Sequence, residues 1–309
     1  MNTTERDTLA VGIIGLGDIA QKAYLPALAA QPGLDLRLMT RDKSKLDRIG
    51  DAYRIAQRYT DLEALIQSGL RAAFVHASTD QHVPIVARLL QAGVHVYVDK
   101  PLDYTLEGSR HLVELAEQKG LSLFVGFNRR YAPSYVEARE RPRDLVVFQK
   151  HRRGCAEDIR TAIFDDFVHV VDTLRFLVPG EVEHTDVRAR VHDGRLEHVV
   201  LTLAGAGFTA LGVQNRVSGS TEEVLEVSGA NAKRQVIQIA DVIDHDRHPT
   251  THRRGDWVPV ARQRGLEQAC QAFLQAVRSG TVLSARDALR THELCEHIVK
   301  QIELSARSR

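Results

Sequence analysis

The chain has 309 residues, too many for one ordinary hydrophobic core and suited to two domains. It is 43% hydrophobic and 26% charged, with 41 Lys and Arg against 40 Asp and Glu; so even a balance argues against a nucleic-acid or polyanion binder, which needs surplus cation. Cys155, Cys270 and Cys295 are far apart and odd in number, which argues against a disulfide framework or structural zinc and points to a reducing cytoplasm.

The apolar run Leu9 to Leu16 is broken by Gly12 and Gly15, is too short to span a membrane and lacks the basic flank of a signal peptide. A cytoplasmic protein without a membrane partner is expected. Short β-rich runs follow at Ala10 to Ile14, Leu34 to Met39, Ala72 to His76, His95 to Val98 and Ser122 to Val125. Helix-period segments such as Ile19 to Gln31, Lys43 to Arg54 and Gln81 to Ala92 lie between them. Such alternation predicts a doubly wound parallel sheet, with residues 1–126 as a dinucleotide-binding Rossmann domain.

Gly15-Leu16-Gly17-Asp18-Ile19-Ala20 joins the first strand to a helix. Gly15 permits the tight turn, Gly17 lets the backbone approach a pyrophosphate, and Ala20 is small enough for close helix–strand packing. The free N–H groups of the helix start, at Asp18, Ile19 and Ala20, face the phosphates. The acidic ribose ligand expected at the end of the second strand is missing: Thr40 stands there, followed by Arg41. Thr40 does not repel a 2′-phosphate and Arg41 can pair with one, helped by Lys43 or Lys45, so NADP is expected in preference to NAD, which remains possible. A solvated basic loop is the alternative.

Lys100 follows the strand ending at Val98 and precedes Pro101, on the edge where open α/β sheets bind ligands. Its ammonium can polarise a substrate hydroxyl or carbonyl, or it can be an ordinary surface lysine. Near Ile163 a helical stretch begins. At about 100° per residue it carries Asp165, His169 and Asp172 on one face, a general acid/base between two carboxylates. A plain surface His–Asp pair is the alternative. No metal site is expected, although His151 can approach in space.

Past residue 144 the pattern changes. Leu145 to Phe148, Val182 to His192, Glu197 to Leu203, Phe208 to Asn215, Glu223 to Val227 and Gln235 to Ile239 read as successive strands. Helices at Leu266 to Ser279 and Ala285 to Ile302 close the chain, and Asp241 to His248 reads as a loop. Residues 127–309 are thus expected to form a second, α+β domain with a mostly antiparallel, open-faced sheet. The basic run Lys150-His151-Arg152-Arg153 can select an acidic substrate, with His151 as a contact, or simply line solvent.

The turn at Gly15 to Ala20, Asp99-Lys100-Pro101-Leu102, Gly126-Phe127-Asn128-Arg129-Arg130-Tyr131-Ala132-Pro133 and Asp165-xxx-His169-xx-Asp172 together resemble the Gfo/Idh/MocA oxidoreductases over almost the full length. Val75-His76-Ala77-Ser78-Thr79 and the segment around His169 resemble the MviM-type branch most closely. The resemblance implies Lys100 as the active-site lysine, with a cis Lys-Pro bond, His169 as the proton-transfer residue and Asp165 as its carboxylate. It implies Asn128, Arg130 and Asp172 in the substrate region, Ser78, Thr79 and Asp99 near the cofactor, and dimerisation through the open sheet face. Asp99 stands where that family carries glutamate, one methylene longer. The expected activity is hydride transfer between nicotinamide and a secondary alcohol or ketone of a small sugar, polyol or related metabolite. A catalytically silent NADP-binding regulatory or partner-docking protein is the alternative.

Overall fold

The computed structural model describes residues 8–307. The chain packs as two compact units: residues up to Gly126 with Leu266–Leu289, and Phe127–Gly265 with the chain from Arg290 onward.

In the first unit six parallel strands lie in the order β3-β2-β1-β4-β5-β6. They are β1 (Leu9–Ile14), β2 (Leu34–Met39), β3 (Gln57–Tyr59), β4 (Ala72–Val75), β5 (His95–Val98) and β6 (Leu123–Val125). Every residue of β4 and β5 is buried, as expected for strands covered on both faces. The order reverses between β1 and β4, which leaves a crevice at the carboxyl ends of those strands. The intervening helices start where side chains cap them: Asp42 accepts from Lys45 N and Thr105 from Gly108 N, both at 3.0 Å.

Leu266–Ser279 is helical, as its periodicity predicts, but it packs with the first unit instead of the second. Its Phe273 stands edge-on to Phe74 and Tyr97, with ring centroids 5.3 and 5.8 Å apart, and meets Phe124 at 6.1 Å. Burying that aromatic contributes more than any local preference for its sequence neighbours.

The second unit holds a mixed, mostly antiparallel sheet ordered β15-β14-β13-β12-β7-β11-β10-β8, with β9 also paired to β10. Its strands are β7 (Leu145–His151), β8 (Glu157–Asp158), β9 (His184–His192), β10 (Arg195–Gly205), β11 (Phe208–Asn215), β12 (Glu222–Gly229), β13 (Ala232–Ile237), β14 (Asp241–His245) and β15 (Pro249–His252). Only β7 and β11 run parallel. The expected loop at Asp241 to His248 is corrected: β14 pairs with β13, and the burial of Asp244 is compensated by Arg234, which donates from Nε and NH2 at 2.7 and 2.8 Å. The helix Val168–Leu177 covers one face of the sheet over β7 and β11. No helix among the described residues is long and apolar enough to cross a membrane.

Candidate active site

The turn after β1 is built for close approach. Gly15 has φ +84°, and a Cβ there would lie 2.6 Å from Ala77 N and His76 C, so only glycine fits beside β4. Around Gly17 a Cβ would meet nothing within 4 Å; the emptiness lies outside the backbone, where a phosphate could come close. Ala20 is fully buried, whereas Asp18 and Ile19 are exposed, and Asp18 pairs with Lys22. The helix that follows is wound as a π-helix over Ala20–Tyr24, a local widening that often marks functional sites.

Beside this turn a cavity of about 270 Å³ is lined by Gly15, Met39, Thr40, Arg41, Ser78 and Gln81, among others. It joins four residues expected to hold a cofactor. Arg41 is exposed and has no ion-pair partner among the described residues, while Lys43 is paired with Asp47 and Lys45 with Asp42. Thr79 starts a short turn beside Ser78 and is half-buried. A glycine cradle, a helix start and an unpaired arginine fit the pyrophosphate and ribose of a dinucleotide.

Lys100 is half-buried between the buried Val98 and Pro101, and the Lys100–Pro101 peptide is cis. His82 holds this turn from below: its Nδ1 lies 2.8 Å from Pro101 O and its Nε2 3.0 Å from Ala77 O. Asp99 turns inward, where Tyr24 donates to Oδ1 at 2.9 Å and His76 Nδ1 lies 2.7 Å from Oδ2. Burial alone would raise the Asp99 carboxyl, but His76, the Tyr24 hydroxyl and the Lys100 charge outweigh it and hold it below the ordinary value.

In the second unit residues Ala162–Phe167 form a π-helix that runs into the α-helix Val168–Leu177. From residue 162 to residue 174 every side chain is buried except Asp165 and His169, which are half-buried. Of the three residues expected on one face, Asp165 and His169 are half-buried and Asp172 is buried. Asp172 is 1% exposed, and its carboxylate accepts Arg130 Nε and NH2 at 2.8 and 2.7 Å and Thr291 Oγ1 at 2.9 Å. His169 and Asp172 both lie on the α-helix Val168–Leu177, where three steps of about 100° leave Asp172 roughly 60° round from His169 and turned to the packed side.

The basic run on β7 is split by strand alternation. Lys150 points to the helix side and contacts Asp166, which also accepts Arg152 Nε at 2.8 Å, Gln214 Nε2 at 3.0 Å and Arg216 NH1 at 3.1 Å. His151 alternates onto the opposite sheet face, where its Nε2 lies 3.3 Å from Gln149 Oε1 and its Nδ1 accepts from Asn215 N. The expectation that His151 joins the His169 region is thus corrected: one residue of register separates it from the helix-covered face. Burial pushes the Lys150 ammonium down to about 8, against the pull of Asp166. Asn128 is also enclosed, its amide donating to Arg264 O at 2.7 Å. The buried Arg129–Glu223 pair and the Asp166 cluster escape sequence reading because their partners lie far apart in the chain. Among the described residues no three His, Cys, Asp or Glu side chains converge to hold a metal ion.

The model of an oxidoreductase family with an NAD-binding Rossmann fold, Gfo/Idh/MocA, matches residues 9–127. The protein YceM of Salmonella typhimurium is 36% identical over 295 residues, which span 89% of this chain and 91% of that one. The crystal structure of the dehydrogenase MviM from Clostridium difficile superposes with a TM-score of 0.90 at 30% identity, covering 95% of this chain and 99% of the other. An inositol 2-dehydrogenase of Paracoccus denitrificans is 33% identical over 187 residues, 56% of this chain and 55% of that enzyme. With a glycine cradle in one unit, half-buried Asp165 and His169 in the other, and these likenesses over its length, the chain belongs to the Gfo/Idh/MocA family of oxidoreductases and stands with its MviM-type members.

Proposed function

We propose that this oxidoreductase is an NADP-preferring dehydrogenase or reductase acting on a secondary alcohol, or the matching ketone, of a sugar, polyol or related metabolite. The observation that carries the reading is that Asp165 and His169 alone are half-exposed in a stretch of thirteen otherwise buried residues. The likeness to an inositol 2-dehydrogenase supports a polyol-like substrate.

Bound at the cradle, the nicotinamide would supply the hydride acceptor or donor. Gly15 and Gly17 admit the pyrophosphate, the N–H groups from Asp18 to Ala20 face it, Ser78 and Thr79 border it, and Thr40 and Arg41 take the ribose 2′-phosphate. The Lys100 ammonium hydrogen-bonds the reacting oxygen and stabilises its charge. The His169 imidazole takes the hydroxyl proton, and Asp165 fixes its tautomer and favours its protonated form. Arg130, Asp172 and Asn128 act from behind, as ties that hold the substrate-side backbone. His151 has no part in the chemistry.

A second copy of the chain would pack on the sheet face opposite the helix Val168–Leu177, where Val147, Val200, Leu211, Val213 and Val224 stay half-open; light scattering on the purified protein reads the stoichiometry. The free cysteines suit a cytoplasmic location. A silent regulator would share the cradle, but it would have no need of a carboxylate and an imidazole left half-exposed in an otherwise buried stretch. The deciding experiment is NADP⁺ reduction with a panel of polyols. Lys100→Met and His169→Ala should each lower turnover while leaving NADPH affinity nearly intact; unchanged turnover in both would remove the mechanism.

A further inference from the structure

The second unit holds a cavity of about 520 Å³ whose lining has no part in the proposed chemistry. Its walls come from three places. The helix Pro133–Arg139 supplies Pro133 and Glu137, one turn apart on the same face, and Arg141 follows it. Strands β13 and β14 supply Arg234, Val242 and Asp244, and the chain at the end of β15 and beyond supplies Arg253, Arg254 and Val258.

Strand register builds the floor. Arg234 and Asp244 stand directly opposite each other across the β13–β14 pair, and Val242, two residues from Asp244, shares their face. Val242 is 7% exposed, and Ile239, in the turn between the two strands, is 2% exposed. Arg234 is buried and all three of its nitrogens are engaged: Nε and NH2 donate to Asp244 at 2.7 and 2.8 Å, and NH1 donates to Glu137 Oε2 at 2.8 Å. Arg141 NH2 also donates to Asp244 Oδ2, at 3.1 Å. Two carboxylates thus answer two of the guanidinium groups.

The other two are left over. Arg253 is exposed and has no ion-pair partner among the described residues. Arg254 donates from NH1 to Gln263 Oε1 at 2.7 Å, a neutral acceptor. Four arginines against two carboxylates leave two positive charges at this cavity, in a chain whose formal net charge is only +1. His252, 3.7 Å from Asp244 Oδ2, adds to the surplus when protonated.

An exposed guanidinium alone attracts an anion weakly, because water and salt screen it. Here the same cavity has an apolar floor. An anion with an apolar body gains by burying that body while its charged end meets the planar forks of Arg253 and Arg254. The floor also decides which dianion fits. A phosphate monoester carries both charges at one end, whereas a dicarboxylate would bring its second charge onto Ile239 and Val242.

We propose that this cavity binds a small phosphate monoester with an apolar body. Arg253 and Arg254 hold the phosphoryl group, Ile239, Val242 and Val258 take the body, and Arg234, tied to Asp244 and Glu137, fixes the wall. The site goes beyond the oxidoreductase reading and does not depend on it.

The test is calorimetry on the full chain with butyl phosphate as the probe. A dissociation constant of about 1 mM or tighter is expected, and no binding up to about 10 mM would overturn the proposal. Inorganic phosphate and glutarate should each bind about threefold more weakly or worse. Equal binding of inorganic phosphate would mean an adventitious ion only, and equal binding of glutarate would remove the phosphoryl assignment. Arg253→Gln combined with Arg254→Gln should weaken butyl phosphate about tenfold or more while melting temperature and NADPH affinity stay unchanged, since both side chains are exposed. Unchanged affinity for butyl phosphate in that variant would overturn the site.

A second readout needs no variant. Trp257 is the one tryptophan of the chain, is 95% exposed and lies between Arg254 and Val258. Its indole N–H resonance should shift saturably with the calorimetric midpoint; heat released with an unmoved indole would place the binding elsewhere and overturn the proposal. Arg41→Glu separates this site from the dinucleotide cradle. Butyl phosphate binding should survive there, and its loss would assign the anion to the cradle. Butyl phosphate binding in a protein that binds no NADPH keeps this site and removes the oxidoreductase reading alone.

Discussion

Arg130 grips Asp172 with two hydrogen bonds, from Nε at 2.8 Å and NH2 at 2.7 Å, forty-two residues away along the chain. Asp172 is 1% exposed, and Thr291 Oγ1 donates a third hydrogen bond, to Oδ1 at 2.9 Å. Removing one member of a buried pair leaves the other desolvated and unmatched, which costs far more than the net worth of the pair. Asp172→Ala should destabilise the protein by about 3–5 kcal/mol. Urea unfolding checks this, and a loss below about 1 kcal/mol, the range of an exposed pair, would contradict the buried geometry.

The two glycines of the cradle should respond differently. Gly15→Ala places a Cβ against the backbone at His76 and Ala77 with φ at +84°, so it should cost on the order of 1–3 kcal/mol of stability. Gly17→Val meets open space. Its melting temperature should match the wild type while NADPH affinity falls tenfold or more, about 1.4 kcal/mol. Thermal melts beside nucleotide titrations separate the two, and a destabilised Gly17→Val would show that its space is needed by the protein itself.

Arg41 borders the cavity without an ion-pair partner among the described residues, whereas Lys43 and Lys45 are already paired. Arg41→Glu should therefore raise the dissociation constant for NADPH far more than that for NADH. Competition titrations read the ratio; equal losses would remove the assignment of Arg41 to a 2′-phosphate.

Acid should act through Asp166. Burial by itself raises this carboxyl, but the Arg152 hydrogen bonds and the Lys150 charge outweigh burial and hold it well below the ordinary carboxylate range. A carboxyl with a folded value below its unfolded value of about 3.9 contributes stability that is complete above that pH. The contribution is lost as pH falls through the lowered folded value. The stability gap between wild type and Asp166→Asn should be constant above about pH 5 and narrow below about pH 4. Urea midpoints at pH 6, 4 and 3 test it, and a gap independent of pH would contradict the account.

Much of the first unit can be read from residue pattern, because buried parallel strands are nearly continuous apolar runs: β2 and β5 fall on the expected residues, and the Gly15 turn lies where a strand meets a helix. The second unit is less legible. β14 was masked by its charges, whose partner Arg234 sits on the neighbouring strand. The helix Leu266–Ser279 was found by its periodicity, yet its place depends on Phe273 meeting three aromatics more than a hundred residues earlier. In the sequence Lys100, Asp165 and His169 stand out by their spacing, but Asp172, three residues past His169 on the same α-helix, turns to Arg130 and Thr291 on the packed side, partners that no local pattern shows. Tyr24 and His76 had one signal, the aspartate at position 99, and nothing local shows that they meet it.

On the proposed reading this chain binds a nicotinamide dinucleotide at the turn after β1 and uses His169 for chemistry and not for binding. A fluorescence titration of the purified protein with NADPH and NADH, with His169→Ala in parallel, tests it most directly. Saturable, NADPH-preferring binding of equal strength in both proteins is the predicted result. No binding of either nucleotide to the wild type would contradict the account and leave the glycine turn as a purely structural element.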